Sequence, residues 1–181
     1  MKGKRPEIVL GVTGSIAAYK AAELVRMIVK AGWGVTVVMT EAATKFVTPL
    51  TFQTLSQRRV TTTSFAPVET WMPEHISLAD LADIFLVAPC TANVIAKLAH
   101  GLADDYLTST ALACTAPLVV APAMNDGMWC HPATRENLQT LVSRGATVVE
   151  VGNGDLACGR SGEGRMAETA RIFEVVERML K

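Results

Sequence analysis

Unbroken runs of Val, Ile and Leu recur along this chain, each followed by a small or polar turn and then by a stretch of helical period. Residues 8–12 (IVLGV), 34–40 (GVTVVMT), 84–88 (IFLVA), 118–121 (LVVA) and 147–151 (TVVEV) read as strands. Their apolar residues are consecutive, which marks strands covered on both faces. Between them, apolar positions return every third or fourth residue over about 15–31, 91–100, 104–114, 133–144 and 167–180. Such spacing lays an apolar stripe along one face of a helix. Shorter helical material falls at 41–46 and 49–56, and residues 60–64 are ambiguous between strand and coil. Strand–helix alternation of this kind predicts an α/β fold, a doubly wound parallel sheet in three layers, Rossmann-like or flavodoxin-like, with right-handed crossovers. The chain, 1–181, reads as a single domain without repeat or linker. Residues 152–165 (GNGDLACGRSGEGR) are too glycine-rich for a regular element.

Open parallel sheets bind ligands outside the carboxyl ends of their strands. That rule selects four stretches: GVTGS, MTEAA, APCTAN and APAMN. In the first, Gly11 and Gly14 allow a tight backbone, and Ser15 is placed to cap a helix whose free N–H groups suit a phosphate. The same turn would also serve as a plain strand-to-helix connection. It is not GxGxxG, and the second strand ends in Thr40 before Glu41 rather than in a ribose-binding acid. A single phosphate, as in FMN, therefore fits better than a dinucleotide. In the third stretch Ala88 and Pro89 end a strand, and Thr91 and Asn93 sit near a helix start as ligand donors or simple caps. The fourth runs into APAMNDGMWCHP, where Asn125 sets an amide among Met124, Met128 and Trp129.

Composition narrows the classes. Half of the 181 residues are hydrophobic and 19% are charged, enough for a core and too apolar for disorder. Lys plus Arg equals Asp plus Glu, and no basic patch of the nucleic-acid kind occurs. The basic cluster at 2–5 reads as a solvated tail. No apolar run reaches transmembrane length, and the start is too short for a signal segment. Four cysteines without a CxxC pair suit a reduced, cytoplasmic setting better than a disulfide or zinc scaffold.

Three further residues carry chemistry. His75, just before a short helical stretch, can act as base or acid near neutral pH, or can simply cap or face solvent. His100 and His131 lack partners at metal-ligand spacing and read as structural. Cys158 lies among glycines, with Arg160 and Arg165 able to lower its pKa or hold an anion. Composition alone equally describes a surface loop with an incidental thiol. Cys90 reads as packing.

Taken in order, GSIAAYK, APCTANVIAKLAHGLADD, PAMNDGMW and ACGRSGEGRM, with His75 between the first two, resemble the homo-oligomeric flavin-containing cysteine decarboxylases. The likeness runs from Gly11 to about Met166 and departs at Cys90, where alanine or serine is usual. Within the family it points to the branch that acts on 4′-phospho-N-pantothenoylcysteine in coenzyme A biosynthesis. The resemblance implies FMN, held by Gly14, Ser15, Thr40, Ala88, Pro89, Thr91 and Asn93. It implies catalysis by His75, Asn125 and Cys158, and substrate binding by Met124, Asn125, Ala157, Arg160 and Arg165, with no metal. It also implies a trimer, often built into a dodecamer, with flavin and substrate at protomer boundaries. Residues 152–166 would form a glycine-rich flap over the substrate.

The implied reaction oxidises the substrate thiol to a thioaldehyde, loses CO2 to an enethiolate, then returns hydride and proton. His75 would take the thiol or Cα proton. Asn125 would hold the carboxylate without adding charge, and Cys158 would protonate the enethiolate. Met128 and Trp129 would wall the apolar side, unless Trp129 serves as interface core. In many bacteria this domain is fused to the phosphopantothenate–cysteine ligase that makes its substrate, so the chain is either stand-alone or one domain of such a fusion. Three rivals remain: a decarboxylase of peptide C-terminal cysteine, a flavin-binding regulatory subunit like the halotolerance proteins, and a nicotinamide-dependent dehydrogenase. The acidic tail of the second and the fingerprint of the third are absent from the sequence.

Overall fold

The computed structural model describes residues 5–63, 74–155, 159 and 161–181. Strands β1 (Glu7–Val12), β2 (Gly34–Met39), β3 (Ile84–Cys90), β4 (Leu118–Pro122) and β5 (Thr147–Val148) form one parallel sheet in the order β2-β1-β3-β4-β5. Alternate side chains of each strand enter different cores. Ile8, Leu10 and Val12 pack with helices α1 (Ala18–Lys30) and α8 (Thr169–Met179), and with Phe52 of α2 (Pro49–Ser56). Val9, Phe85 and Val87 face α4 (Ala92–His100), α5 (Tyr106–Ala113) and α7 (Pro132–Ser143). Both faces of the sheet are thus covered, as the continuous apolar runs require. No helix among the described residues is long and apolar enough to cross a membrane.

The strand order reverses between β1 and β3, which opens a crevice at their carboxyl ends. Thr13 closes the floor of that crevice. Its side chain is fully buried; Oγ1 donates to Pro89 O at 2.7 Å and accepts from Thr91 N at 3.1 Å. One hydroxyl therefore ties the turn after β1 to the turn after β3. Gly14 next to it has no room for a side chain, because a Cβ would stand 2.5 Å from that of Ala42.

Several elements differ from the sequence reading, each for a local reason. The first helix begins at Ala18, since residues 15–17 form a turn in which Ser15 Oγ accepts from Ala17 N at 3.2 Å. Ser15 is therefore not the helix cap. β3 runs on to Cys90 through a register shift between Val87 and Cys90, which turns the thiol into the second core. His75 lies inside α3 (Glu74–Leu81), not before it. α5 starts at Tyr106 because Asp105 forms a capping box with Thr108. The last strand keeps only two paired residues, and 60–63 offer one isolated bridge, Val38 to Thr61. Arg5, read as part of a free tail, donates to Trp33 O at 2.5 Å.

The described ends of the glycine-rich segment are regular. β6 (Gly152–Asp155) and β7 (Ser161–Arg165) form an antiparallel pair. Gly154 and Gly164 adopt φ of +151° and +123°, which side-chain-bearing residues rarely reach. Composition hid an antiparallel pair of strands built on glycine's own conformations.

Replacing Thr13 by Val keeps the shape but strands a buried carbonyl and a buried amide. A loss of about 1–3 kcal/mol is expected, seen as a Tm lowered by about 3–10 °C; an unchanged Tm would remove Thr13 from this role.

Candidate functional site

A cavity of about 580 Å³ opens at the carboxyl end of the sheet, a size typical of small-molecule sites. Three loops build it. The turn after β1 supplies Gly14, Ser15 and Ile16, and α1 adds Tyr19 and Lys20. The turn after β3 supplies Thr91 and Ala92, and the turn after β4 supplies Ala123, Met124 and Asn125. Met128 and the β7 end, Gly164 to Met166, close the remaining side.

The lining combines charged and thioether groups. At the α1 end stand Ser15, the helix N-terminus and the Lys20 ammonium, whose side chain is only 11% exposed. The first turn of α1 carries no acid. Lys20 Nζ meets Glu168 Oε2 at 3.2 Å, and Glu168 Oε1 also accepts from Arg165 Nη2 at 3.0 Å. Met124, Met128 and Met166 add polarizable, adaptable thioethers to the lining.

Asn125 also lines the cavity, and its amide orientation follows from its partner. It caps α6 (Asp126–Cys130), a short helix the sequence reading missed, and Gly127 N donates to its side chain at 2.9 Å. A backbone N–H can only donate, so the atom it meets is the amide oxygen. The polar end turned elsewhere is therefore the NH2 group, a neutral double donor. Signals for this turn were present as Asn followed two residues on by Gly.

The structure brings together Gly14, Ser15, Thr91, Met124, Asn125 and Arg165 around one cavity. Thr91 also caps α4, accepting from Val94 N at 3.4 Å. Four other expected flavin contacts stand outside the lining. Ala88 is wholly buried in the sheet, and Pro89 uses its carbonyl on Thr13. Thr40 accepts from Ala43 N, and Asn93 faces solvent. His75 packs edge-on against Tyr106 with ring centroids 6.3 Å apart, outside the cavity lining. Ala157, Cys158 and Arg160 lie outside the described residues. Trp129 differs from its expected place: it is 6% exposed, belongs to the second core, and does not line the cavity. Sequence reasoning missed Thr13, Lys20, Tyr19 and Met166. Only Thr13 left a signal, a hydroxyl between the glycines of a strand-end turn.

No group of His, Cys, Asp or Glu suited to a metal occurs among the described residues. His131 caps α7 through Nδ1, and His100 Nε2 meets Asn137 Oδ1 at 3.0 Å, so both have local partners. Cys90, Cys114 and Cys130 are free thiols. Burial pushes the Cys90 thiol far above the ordinary range, so it stays protonated and inert.

Comparison with known proteins agrees with this geometry. The Flavoprotein family matches residues 1–181. The coenzyme A biosynthesis bifunctional protein CoaBC of Bacillus subtilis is 48% identical over 171 residues, covering 94% of this chain and 42% of that protein. The chain thus spans less than half the length of the curated relatives it resembles. A PPC decarboxylase, solved as a Cys-to-Ser variant with pantothenoylaminoethenethiol, superposes with a TM-score of 0.87 at 32% identity, over 98% of this chain and 99% of that one. The FMN binding protein AtHal3 gives 0.81 at 33% identity, over 97% and 96%.

The raised Cys90 pKa has a signed consequence. The folded chain keeps this proton at a pH where an unfolded thiol, near 8.5, has lost it. Its contribution is therefore complete below about pH 8.5 and falls as pH rises beyond. Denaturation midpoints should decline less steeply above that pH in Cys90→Ala than in the parent, and alkylation of the native protein should reach Cys130 and spare Cys90.

Cavity, strand order and matched length lead to one assignment: the chain belongs to the Flavoprotein family.

Proposed function

We propose that this chain is an FMN-dependent decarboxylase of 4′-phospho-N-pantothenoylcysteine in coenzyme A biosynthesis. The observation that carries the reading is Asn125, an amide held by Gly127 N–H on the wall of a cavity lined by Lys20, Arg165 and three methionines.

The residues present suit FMN. Ser15, Lys20 and the backbone of the β1–α1 turn would hold its single phosphate, with Thr91 adding a hydroxyl. Ala92, Ala123, Met124 and Met128 would face its ring. Glu41 is exposed, beside Lys45, and does not line the cavity, which leaves a dinucleotide ribose without its usual acid. When bound, FMN supplies a two-electron oxidant for the substrate thiol and afterwards the hydride that restores it.

The protein's own part is positional and protonic. The Asn125 NH2 group donates to the substrate carboxylate without adding charge. A cation there would favour the carboxylate over departing CO2, whereas a neutral donor orients it and lets it leave. His75 takes the thiol or Cα proton, and Cys158 returns one to the enethiolate carbon. Arg165, with Ala157 and Arg160, contacts the substrate.

His75 stands away from the cavity of its own protomer, and assembly is proposed to bring it to a neighbour's. Ile16, Tyr19 and Met128 are large apolar side chains on the cavity rim, each about half exposed or more. A trimer, alone or within a dodecamer, would cover them. The ligase activity of the bifunctional relatives is proposed to reside outside these residues, on a fused domain or a separate partner. A phosphorylated metabolite as the proposed substrate, together with the free thiols among the described residues, supports a cytoplasmic setting.

Anaerobic incubation with 4′-phospho-N-pantothenoylcysteine should yield a product lighter by CO2 alone, read by mass spectrometry. Asn125→Asp is the sharpest variant, because aspartate still accepts from Gly127 N–H but has no donor. It should keep FMN and lose turnover at least about tenfold; an active variant would sink the role of the amide. Cys158→Ala should release a product two hydrogens short. Tyr19→Asp should lower the mass measured by light scattering, and an unchanged oligomer would remove this rim from the interface.

A further inference from the structure

β7 carries Gly164 and Arg165 to the cavity wall beside Asn125, yet it belongs to a separate two-stranded sheet. Something must hold it there. One backbone bond does so directly, from Met124 N to Gly164 O at 2.9 Å. Two glycines let the chains approach: a Cβ on Gly164 would stand 2.5 Å from Met124 O, and one on Gly162 would stand 3.0 Å from Asp126 Cβ. The remaining link is made by side chains. Trp129 Nε1 donates to Glu163 Oε2 at 3.2 Å, and Arg135 Nη2 lies 3.8 Å from the same oxygen. The Arg135 guanidinium also stacks over the Trp129 ring, 4.3 Å from its centroid.

Trp129 is anchored in the second core, so this three-residue clasp fastens β7 to a rigid part of the molecule. The indole has a single donor, and β7 meets it with a carboxylate. We propose that Glu163 is a positioning residue for the reaction. By binding Trp129 and Arg135 it sets β7 against the Asn125 turn, so that Arg165 and the Asn125 amide face the substrate at fixed separation. The effect on substrate rests on the function proposed above; the clasp itself does not.

The test uses the FMN-loaded protein. Hydrogen exchange at the Met124 amide reads the docking of β7, because its acceptor is Gly164 O. Glu163→Ala and Trp129→Phe should each speed that exchange about three- to tenfold, the worth of one hydrogen bond. Each should raise KM for 4′-phospho-N-pantothenoylcysteine by a similar factor, with kcat held within about twofold. The double variant should be no worse than either single, since both remove the same bond. Glu163→Gln, which still accepts from the indole, should recover most of the protection. Should Trp129→Phe fail to fold, Glu163→Ala and Glu163→Gln carry the comparison. Unchanged Met124 exchange in Glu163→Ala overturns the clasp whatever the substrate proves to be. Faster exchange with an unchanged KM overturns the positioning role. A parent protein that binds FMN but leaves the substrate intact overturns the proposed function, and the exchange data then still decide the clasp.

Discussion

The buried hydroxyl of Thr13 holds the two sides of the crevice in register. It donates to Pro89 at the end of β3 and accepts from Thr91, the first residue beyond that strand, at 2.7 and 3.1 Å. A parallel sheet leaves its strand-end loops without ladder bonds, so their spacing must be set by side chains or by close packing. Here Thr13 does the first and Gly14, pressed on Ala42, does the second. Helix α1 and the Thr91 cap then fall on either side of one cavity. The site is possible because its floor is polar but fully satisfied, in a place where an unpaired group would be costly.

The opposite wall obeys a different constraint. Asn125 caps α6 with its oxygen, and its NH2 group is the one proposed to meet the substrate carboxylate. The cap fixes the side chain before any ligand arrives, which lowers the ordering cost of binding. α6 is too short to be stable by itself and is held by Trp129, the residue that also fastens β7. Amide, helix and β7 therefore form one unit, and the glycines of that strand serve close approach where their number in the sequence suggested looseness.

The sheet, its two-sided burial and the crevice at its carboxyl end were legible in the sequence, because each depends on local pattern. Continuous apolar runs require cover on both faces, and alternation with helices requires parallel crossovers. Gly14, Ser15, Thr91 and Asn125 were legible for the same reason: they sit at strand ends, where topology sends ligands. Composition misled at 152–165, because glycine content reports conformational freedom but not the φ values a fold selects. Trp129 was misplaced because an aromatic residue beside a ligand turn has two apolar environments to choose between. The periodicity of a five-residue helix cannot say which.

Tertiary structure alone decided the contacts between residues far apart in the chain. Thr13 and Pro89 are 76 residues apart, Trp129 and Glu163 34, and Lys20 and Glu168 148. No local preference marks such pairs, since each residue alone is compatible with solvent or with other partners. Their pairing follows from strand order, which brings the turns of β1, β3 and β4 together with β7. The sequence by itself determined which strands build the parallel sheet and where a ligand should sit. Only the folded chain decided which side chains lock the site, because that depends on distances set by the whole sheet.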